Sequence, residues 1–177
     1  NMDEYDWISA VGIISDYDTS SSKDVLDEAL KKYDLETFHK IAAMIESAKA
    51  TKALSCEQMV EIVNNAKDPD QILENSDMKE AYQKIENEIA GLLIDAQANM
   101  EKIGNVWLYK MKSKFNIRST ISTKLSEKYP EKFLVVYESM DRRIGIATRN
   151  QARKINCNKA VRYAVRILKA SGGGHEA

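Results

Sequence analysis

The sequence predicts an α/β chain of the α+β kind: a helical region with a long heptad-patterned helix, then a small mixed-sheet β-α-β-β-α domain. Three observations predict it. Apolar residues recur at helical spacing from Ser20 to Ile103, short β-rich runs follow from Val106 to Arg149, and only two prolines and seven glycines interrupt 177 residues.

The first segment, Asp6 to Tyr17, is apolar almost throughout and ends in acid. A piece with so little polar face is expected to be buried in something larger than the helices after it, as the end of a domain. From Ser20 to Asn75 the spacing is helical: Val25, Leu26, Ala29 and Leu30, then Leu35, Phe38, Ala42 and Ile45, then Cys56, Met59, Val60 and Val63. Ser22 and Ser55 stand where N-caps belong, and Asp68-Pro69 breaks the run before a short helix at 70–75.

Residues 78–103 place Met78, Tyr82, Ile85, Ile89, Leu92, Ala96, Met100 and Ile103 at steps of four and three, alternating as far as Ala96. That spacing predicts a long helix with a continuous apolar seam, suited to joining two bodies, and Gly104-Asn105 closes it. Beyond it, Val106–Met111 reads as a strand, 117–129 as a helix with Ile121 and Leu125 inward, and 133–137 as a buried strand with 144–149 as its hairpin partner. Asn156 is placed to cap a last helix carrying Val161, Ala164, Val165 and Leu168 on one side.

Charge divides the chain more sharply than its net value of −1 suggests. Residues 102–177 hold 17 Lys+Arg and 5 Asp+Glu of the totals 26 and 27, so residues 1–101 hold 9 and 22. The basic half reads as a surface for polyanions, and the acidic half as scaffold, spacer or protein contact. No apolar run approaches the roughly 18 residues of a spanning helix, and the acidic start differs from a basic secretory leader, so a soluble, cytoplasmic chain is expected. Cys56 and Cys157 have no histidine near them, which excludes a zinc cluster or redox pair and predicts two free, mostly buried thiols.

The end of the sequence, Ser171-Gly172-Gly173-Gly174-His175-Glu176-Ala177, is where chemistry is concentrated. Residues without side chains let main-chain N–H groups close on a phosphate, although a glycine run is equally at home in an idle tail. Lys159, Arg162, Arg166 and Lys169 form a stripe on the preceding helix, and Arg149 ends a strand within the same stretch. Such a stripe suits contacts with successive phosphates, or is simply a solvated face. Tyr109, Trp107 and Tyr137 offer stacking surface to bases, while their strand positions place at least two of them in the core. Asp16 and Asp18 are a tight carboxylate pair without histidine partners, and His39 reads as a packed or solvent-facing side chain.

The run Gly172-Gly173-Gly174-His175 resembles the GGGH signature of the DHH-associated domain, found after the catalytic domain in RecJ-like exonucleases, oligoribonucleases and related phosphoesterases. The strand–helix–strand–strand–helix order and the Arg149 strand end are similar to that family, so the resemblance covers residues 105–177. Gly12 to Asp16 also looks like the last motif of the DHH catalytic domain, whose aspartate ligates metal.

The resemblance implies three parts: residues 1–19 as the remnant of a DHH catalytic domain, 20–104 as an acidic helical linker, and 105–177 as the basic substrate-binding domain. It implies that Asp16 is a metal ligand, that Arg149, Gly172, Gly173, Gly174 and His175 grip a substrate phosphate, and that Lys159, Arg162, Arg166 and Lys169 track single-stranded nucleic acid or a nucleotide. In the family, two divalent metals, manganese foremost, activate the attacking water. They are held there by an earlier Asp-x-Asp motif, preceding the segment that Gly12 to Asp16 resembles, and by an Asp-His-His triplet; this sequence has no adjacent histidines and no Asp-x-Asp before Gly12. The chain is therefore expected to bind without cleaving and to hold no metal stably. Two other readings stay open: a protein-interaction or homodimerisation module built on the acidic helices and the heptad seam, and a domain of the alanyl-tRNA synthetase C-terminal type, which shares the glycine loop.

Overall fold

The computed structural model describes residues 5–16, 22–140 and 143–172. Among these, the elements in order are α1 (Asp6–Ser15), α2 (Lys23–Leu30), α3 (Leu35–Thr51), α4 (Cys56–Asn65), α5 (Pro69–Glu74), α6 (Ser76–Asn99), β1 (Glu101–Ile103), β2 (Val106–Lys110), α7 (Arg118–Lys128), β3 (Phe133–Met140), β4 (Arg143–Arg149) and α8 (Cys157–Leu168). The α+β class is as expected. Two units make up the chain, Asn1–Asn87 and Glu88–Ala177, so the second half of α6 belongs with the sheet.

Helices α3, α4 and α5 of the first unit begin where side chains take up their free N–H groups. Asp34 accepts from Thr37 N at 2.7 Å to start α3, Ser55 and Gln58 form a reciprocal capping box on α4, and Asp68 accepts from Gln71 N with Pro69 at the first turn of α5. Ser22 stands at the head of α2 but makes no side-chain cap bond. Lys52 closes α3 in the left-handed region, φ 56°, with Ala53 N donating to Ala48 O.

The apolar faces meet in one core that includes Trp7, Ile14, Phe38, Ile41, Met44, Ile72 and Met78. The segment at 6–17 does not need a larger body to bury it. Residues 6–15 form α1, which packs on α2 and α3 through Trp7, Ala10, Val11 and Ile14. Ser9, Gly12 and Ser15, three residues apart and all exposed, make its outer face. Several apolar residues at helical spacing lie outside the core: Val25, Leu30, Leu35 and Val60 are exposed.

In the second unit the four strands lie in the order β1-β2-β3-β4. β1 and β2 are an antiparallel hairpin closed by Gly104-Asn105, with Gly104 at φ +58°, the conformation a two-residue turn demands of its first residue. β2 and β3 are parallel across α7, and β3 and β4 are antiparallel. The long helix ends at Asn99, four residues short of the expected limit, because Glu101–Ile103 pairs with β2. Ile103, the last position of the apolar seam, is therefore an exposed strand residue.

Buried side chains of this unit come from α6 (Ile89, Leu92, Ala96), the strands (Tyr109, Leu134, Val136) and α7 (Ile121, Leu125). Several of its buried polar side chains are hydrogen-bonded, although the buried Arg118 Nε has no partner among the described residues. Ser122 and Ser126 donate to Ser119 O and Thr123 O, and the Tyr109 hydroxyl donates to Asp95 at 2.7 Å. Asn150, 2% exposed, donates to Lys132 O at 3.0 Å and Pro130 O at 3.4 Å and accepts from Ile155 N at 3.0 Å, fixing the turn between β4 and α8. Asn156 caps α8 as expected, accepting from Lys159 N. Leu168 is 64% exposed rather than inward, while Val161, Ala164 and Val165 are half-buried.

Candidate nucleic-acid interface

Arg149 ends β4 and faces α7. Its Nη2 donates to Ser119 Oγ at 3.1 Å, its Nε to Thr123 Oγ1 at 3.4 Å, and its Nη1 to Thr148 O at 3.1 Å. These are neutral acceptors on a half-buried side chain, so the guanidinium keeps its full charge and is pre-oriented. α7 is itself pinned at its first turn. Arg118 Nη1 lies 3.4 Å from Glu138 Oε2, and Glu138 Oε1 accepts from Ser113 N at 3.3 Å, while Ser113 Oγ donates to Glu88 at 2.7 Å. Gly145 makes room for Arg118: a Cβ there would stand 2.4 Å from Nη1.

α8 leaves Lys159, Arg162, Arg166 and Lys169 exposed, and Arg162 Nε donates to Asn158 Oδ1 at 3.1 Å. None of the four is in an ion pair among the described residues. Lys169 turns the chain in the left-handed region, φ 48°. Gly172 then lies against the helix it has just left, where a Cβ would meet Val165 Cγ2 at 3.4 Å and Val161 Cγ1 at 3.7 Å. Gly173, Gly174 and His175 lie outside the described residues. Arg149 hydrogen-bonds to α7 and to its own strand, while the other predicted cations lie along α8, which packs on β4.

Asp16 is an exposed carboxylate following α1, and Asp18 lies outside the described residues. Among the described residues no group of three or more His, Cys, Asp or Glu side chains converges as a metal site. Asp16 alone does not fit the two-metal centre that the resemblance implies. His39 is solvent-facing on α3. Both thiols are free, but only Cys157 is buried; Cys56, at the first turn of α4, is exposed because that turn's outer side faces solvent.

Of the three aromatic residues considered for stacking, Tyr109 is core. It is 1% exposed, and burial, followed by its bond to Asp95, pushes its hydroxyl well above the ordinary phenol range. Tyr137 and Trp107 are half-buried. Trp107 has company the sequence reading missed: Lys102, Lys132 and Tyr129 gather around it, and Lys128 lies over the Tyr129 ring. A signal existed in Lys102-Ile103-Gly104-Asn105-Val106-Trp107, since a two-residue turn at Gly104-Asn105 sets Lys102 opposite Trp107. Reading 78–103 as unbroken helix concealed it.

Fold and site define an α+β chain of two units, the second strongly basic and carrying a preset arginine and an exposed cationic helix. In comparison with known proteins, no family model matches the chain, and no curated protein matches it. Among the described residues, no helix is long and apolar enough to cross a membrane.

Proposed function

We propose that this chain is the linker and substrate-phosphate-binding region of a DHH-family phosphoesterase, acting on single-stranded nucleic acid or a nucleotide. The observation that carries the reading is α8: four exposed cations along one helix, none in an ion pair among the described residues, in a segment with 17 basic and 5 acidic residues. The order β2-α7-β3-β4-α8, which β1 precedes, supports the same reading, as do the quoted motifs. In this proposal Arg149 and the Gly172-Gly173-Gly174-His175 loop hold a phosphate, and α8 supplies sequence-independent attraction to the strand. Cleavage belongs to the family's full set of metal-binding motifs, whose Asp-His-His triplet this sequence lacks.

Fluorescence anisotropy with a labelled oligothymidylate tests it. Binding should weaken steeply with salt, and the variant K159Q/R162Q/R166Q/K169Q should lower the slope of log K against log salt by about 3, from roughly 0.7 per phosphate contact on a single strand. Arg149→Ala with His175→Ala should weaken binding further. Affinity indifferent to salt and to both sets of changes refutes the proposal.

A second reading, a protein-interaction module, has its own observation. Tyr163, Ile167 and Leu168 on α8 are 69%, 63% and 64% exposed, and Ile144 and Ile146 on β4 are 62% and 48% exposed. Sedimentation separates the two: a monomer at every concentration that captures no protein counts against this reading.

A further inference from the structure

A cationic and aromatic cluster stands apart from Arg149 and α8. Across the β1–β2 hairpin, Lys102 pairs with Trp107, and its Nζ lies 4.8 Å from the centre of the Trp107 ring. Lys132, just before β3, brings its Nζ to 5.2 Å from the same ring and donates to Asn105 Oδ1 at 3.2 Å. Tyr129, capping the C-terminus of α7, meets the indole at a centroid distance of 4.8 Å and an interplanar angle of 59°. Lys128 Nζ lies 5.8 Å from the Tyr129 ring. The indole N–H is turned to the backbone, donating to Gly104 O at 3.3 Å.

Packing does not require this arrangement. The ring quadrupoles attract the ammoniums but neutralise none of their charge. None of the three lysines is ion-paired with a carboxylate among the described residues, so three like charges share one small area. Their mutual repulsion is relieved by an anion. An aromatic face beside it selects an anion that also carries a flat ring, and nucleotides in a single strand have both. Each ammonium sits on a flexible four-carbon stem, so a base can take its place over the ring while the ammonium moves to a flanking phosphate.

We propose that this edge of the sheet is a second contact for single-stranded nucleic acid, with a base against Trp107 and its neighbouring phosphates on Lys102, Lys128 and Lys132. The inference rests on the polyanion-binding reading above and adds where the strand runs. Lys102, Trp107, Leu134 and Arg149 occupy one cross-strand row over β1, β2, β3 and β4. Trp107 and Arg149 are thus two strand spacings apart, about 10 Å. α7 touches both ends of the row, through Ser119 and Thr123 at Arg149 and through Tyr129 at Trp107. A strand held at Arg149 reaches the cluster within a few nucleotides.

The test uses the full chain in a Trp7→Phe background, which leaves Trp107 as the sole tryptophan. Oligothymidylate should quench its emission, and an abasic oligonucleotide of equal length should bind with little quenching. K102Q/K128Q/K132Q should weaken binding at least tenfold and lower the salt slope by about 2. The matched change K31Q/K49Q/K67Q, on exposed lysines of the first unit, should alter affinity less than twofold. Equal quenching by both oligonucleotides, or an edge variant that binds like the wild type while the α8 variant fails, overturns this inference and leaves the proposed function standing. A wild-type chain that binds no oligonucleotide even at low salt overturns the proposed function itself.

Discussion

Tyr109→Phe isolates the bond that ties β2 to α6. The side chain is 1% exposed, and its hydroxyl donates to Asp95 at 2.7 Å. A hydrogen bond to an ionised acceptor contributes roughly 1.5–3 kcal/mol. Asp95 is exposed and also accepts from Asn99 at 2.7 Å, so it stays partnered and rehydrates when the phenol is lost. The cost should therefore fall at or just below the lower limit of that range, about 1–1.5 kcal/mol, which for a unit of this size is a drop of roughly 4–12 °C in Tm.

Thermal unfolding followed by Trp107 emission, again with Trp7→Phe, reads the sheet unit alone. A double-mutant cycle with Asp95→Asn should return a coupling of about 1 kcal/mol. Alkaline pH supplies an independent arm. Burial first, and Asp95 second, raise the Tyr109 hydroxyl above the ordinary value of 10.0. As pH rises through about 10, the unfolded chain loses this proton before the folded one does, so stability falls, by up to about 1.4 kcal/mol per pH unit. The fall begins above the unfolded value, and below it the effect is absent. Tyr109→Phe should remove that component. Equal midpoints at neutral pH together with parallel alkaline profiles would refute the reasoning.

Three further outcomes follow from the packing. Ser55→Ala removes one half of the capping box on α4 and should lower the stability of the helical unit by about 1 kcal/mol in urea titration, with Ser55→Asn recovering most of it. Gly145→Ala puts a methyl where Arg118 Nη1 and Met140 Cε now lie at 2.4 and 2.5 Å; because both are ends of flexible side chains, the cost should be about 1–2 kcal/mol, read by denaturant midpoint, and should be smaller in an Arg118→Ala background. Asn150→Ala leaves Ile155 N and Lys132 O without their partner beside a turn that is 2% exposed at its centre, and should cost about 2–3 kcal/mol with faster amide exchange at Ile155.

The local signals were legible because they are local. Ser55 and Asn156, expected as caps, accept N–H groups three residues on, while Ser22, expected likewise, makes no side-chain cap bond; Asp34 and Asp68 cap at the same offset without having been read as caps. The order of strands and α7 followed from β-rich runs either side of a helical period, and the seam of α6 from its steps of four and three. Charge segregation was likewise a matter of counting.

What spacing cannot report is what lies across from a residue. Ile103 continues a heptad on paper, yet pairing with Val106 draws it into a strand, since a ladder formed with a distant segment outweighs one more helical turn. Arg149 was legible as a strand-end cation, but only the packing of α7 sets Ser119 and Thr123 against it. The gathering of Lys102, Lys128 and Lys132 around Trp107 and Tyr129 draws on a hairpin, a helix end and the start of a strand, brought together by β2 lying parallel to β3. Sequence alone determined the class, the caps and the sign of each half, because those depend on neighbours along the chain. The tertiary structure decided which charges share a surface, because that depends on register and crossover, which no single segment encodes.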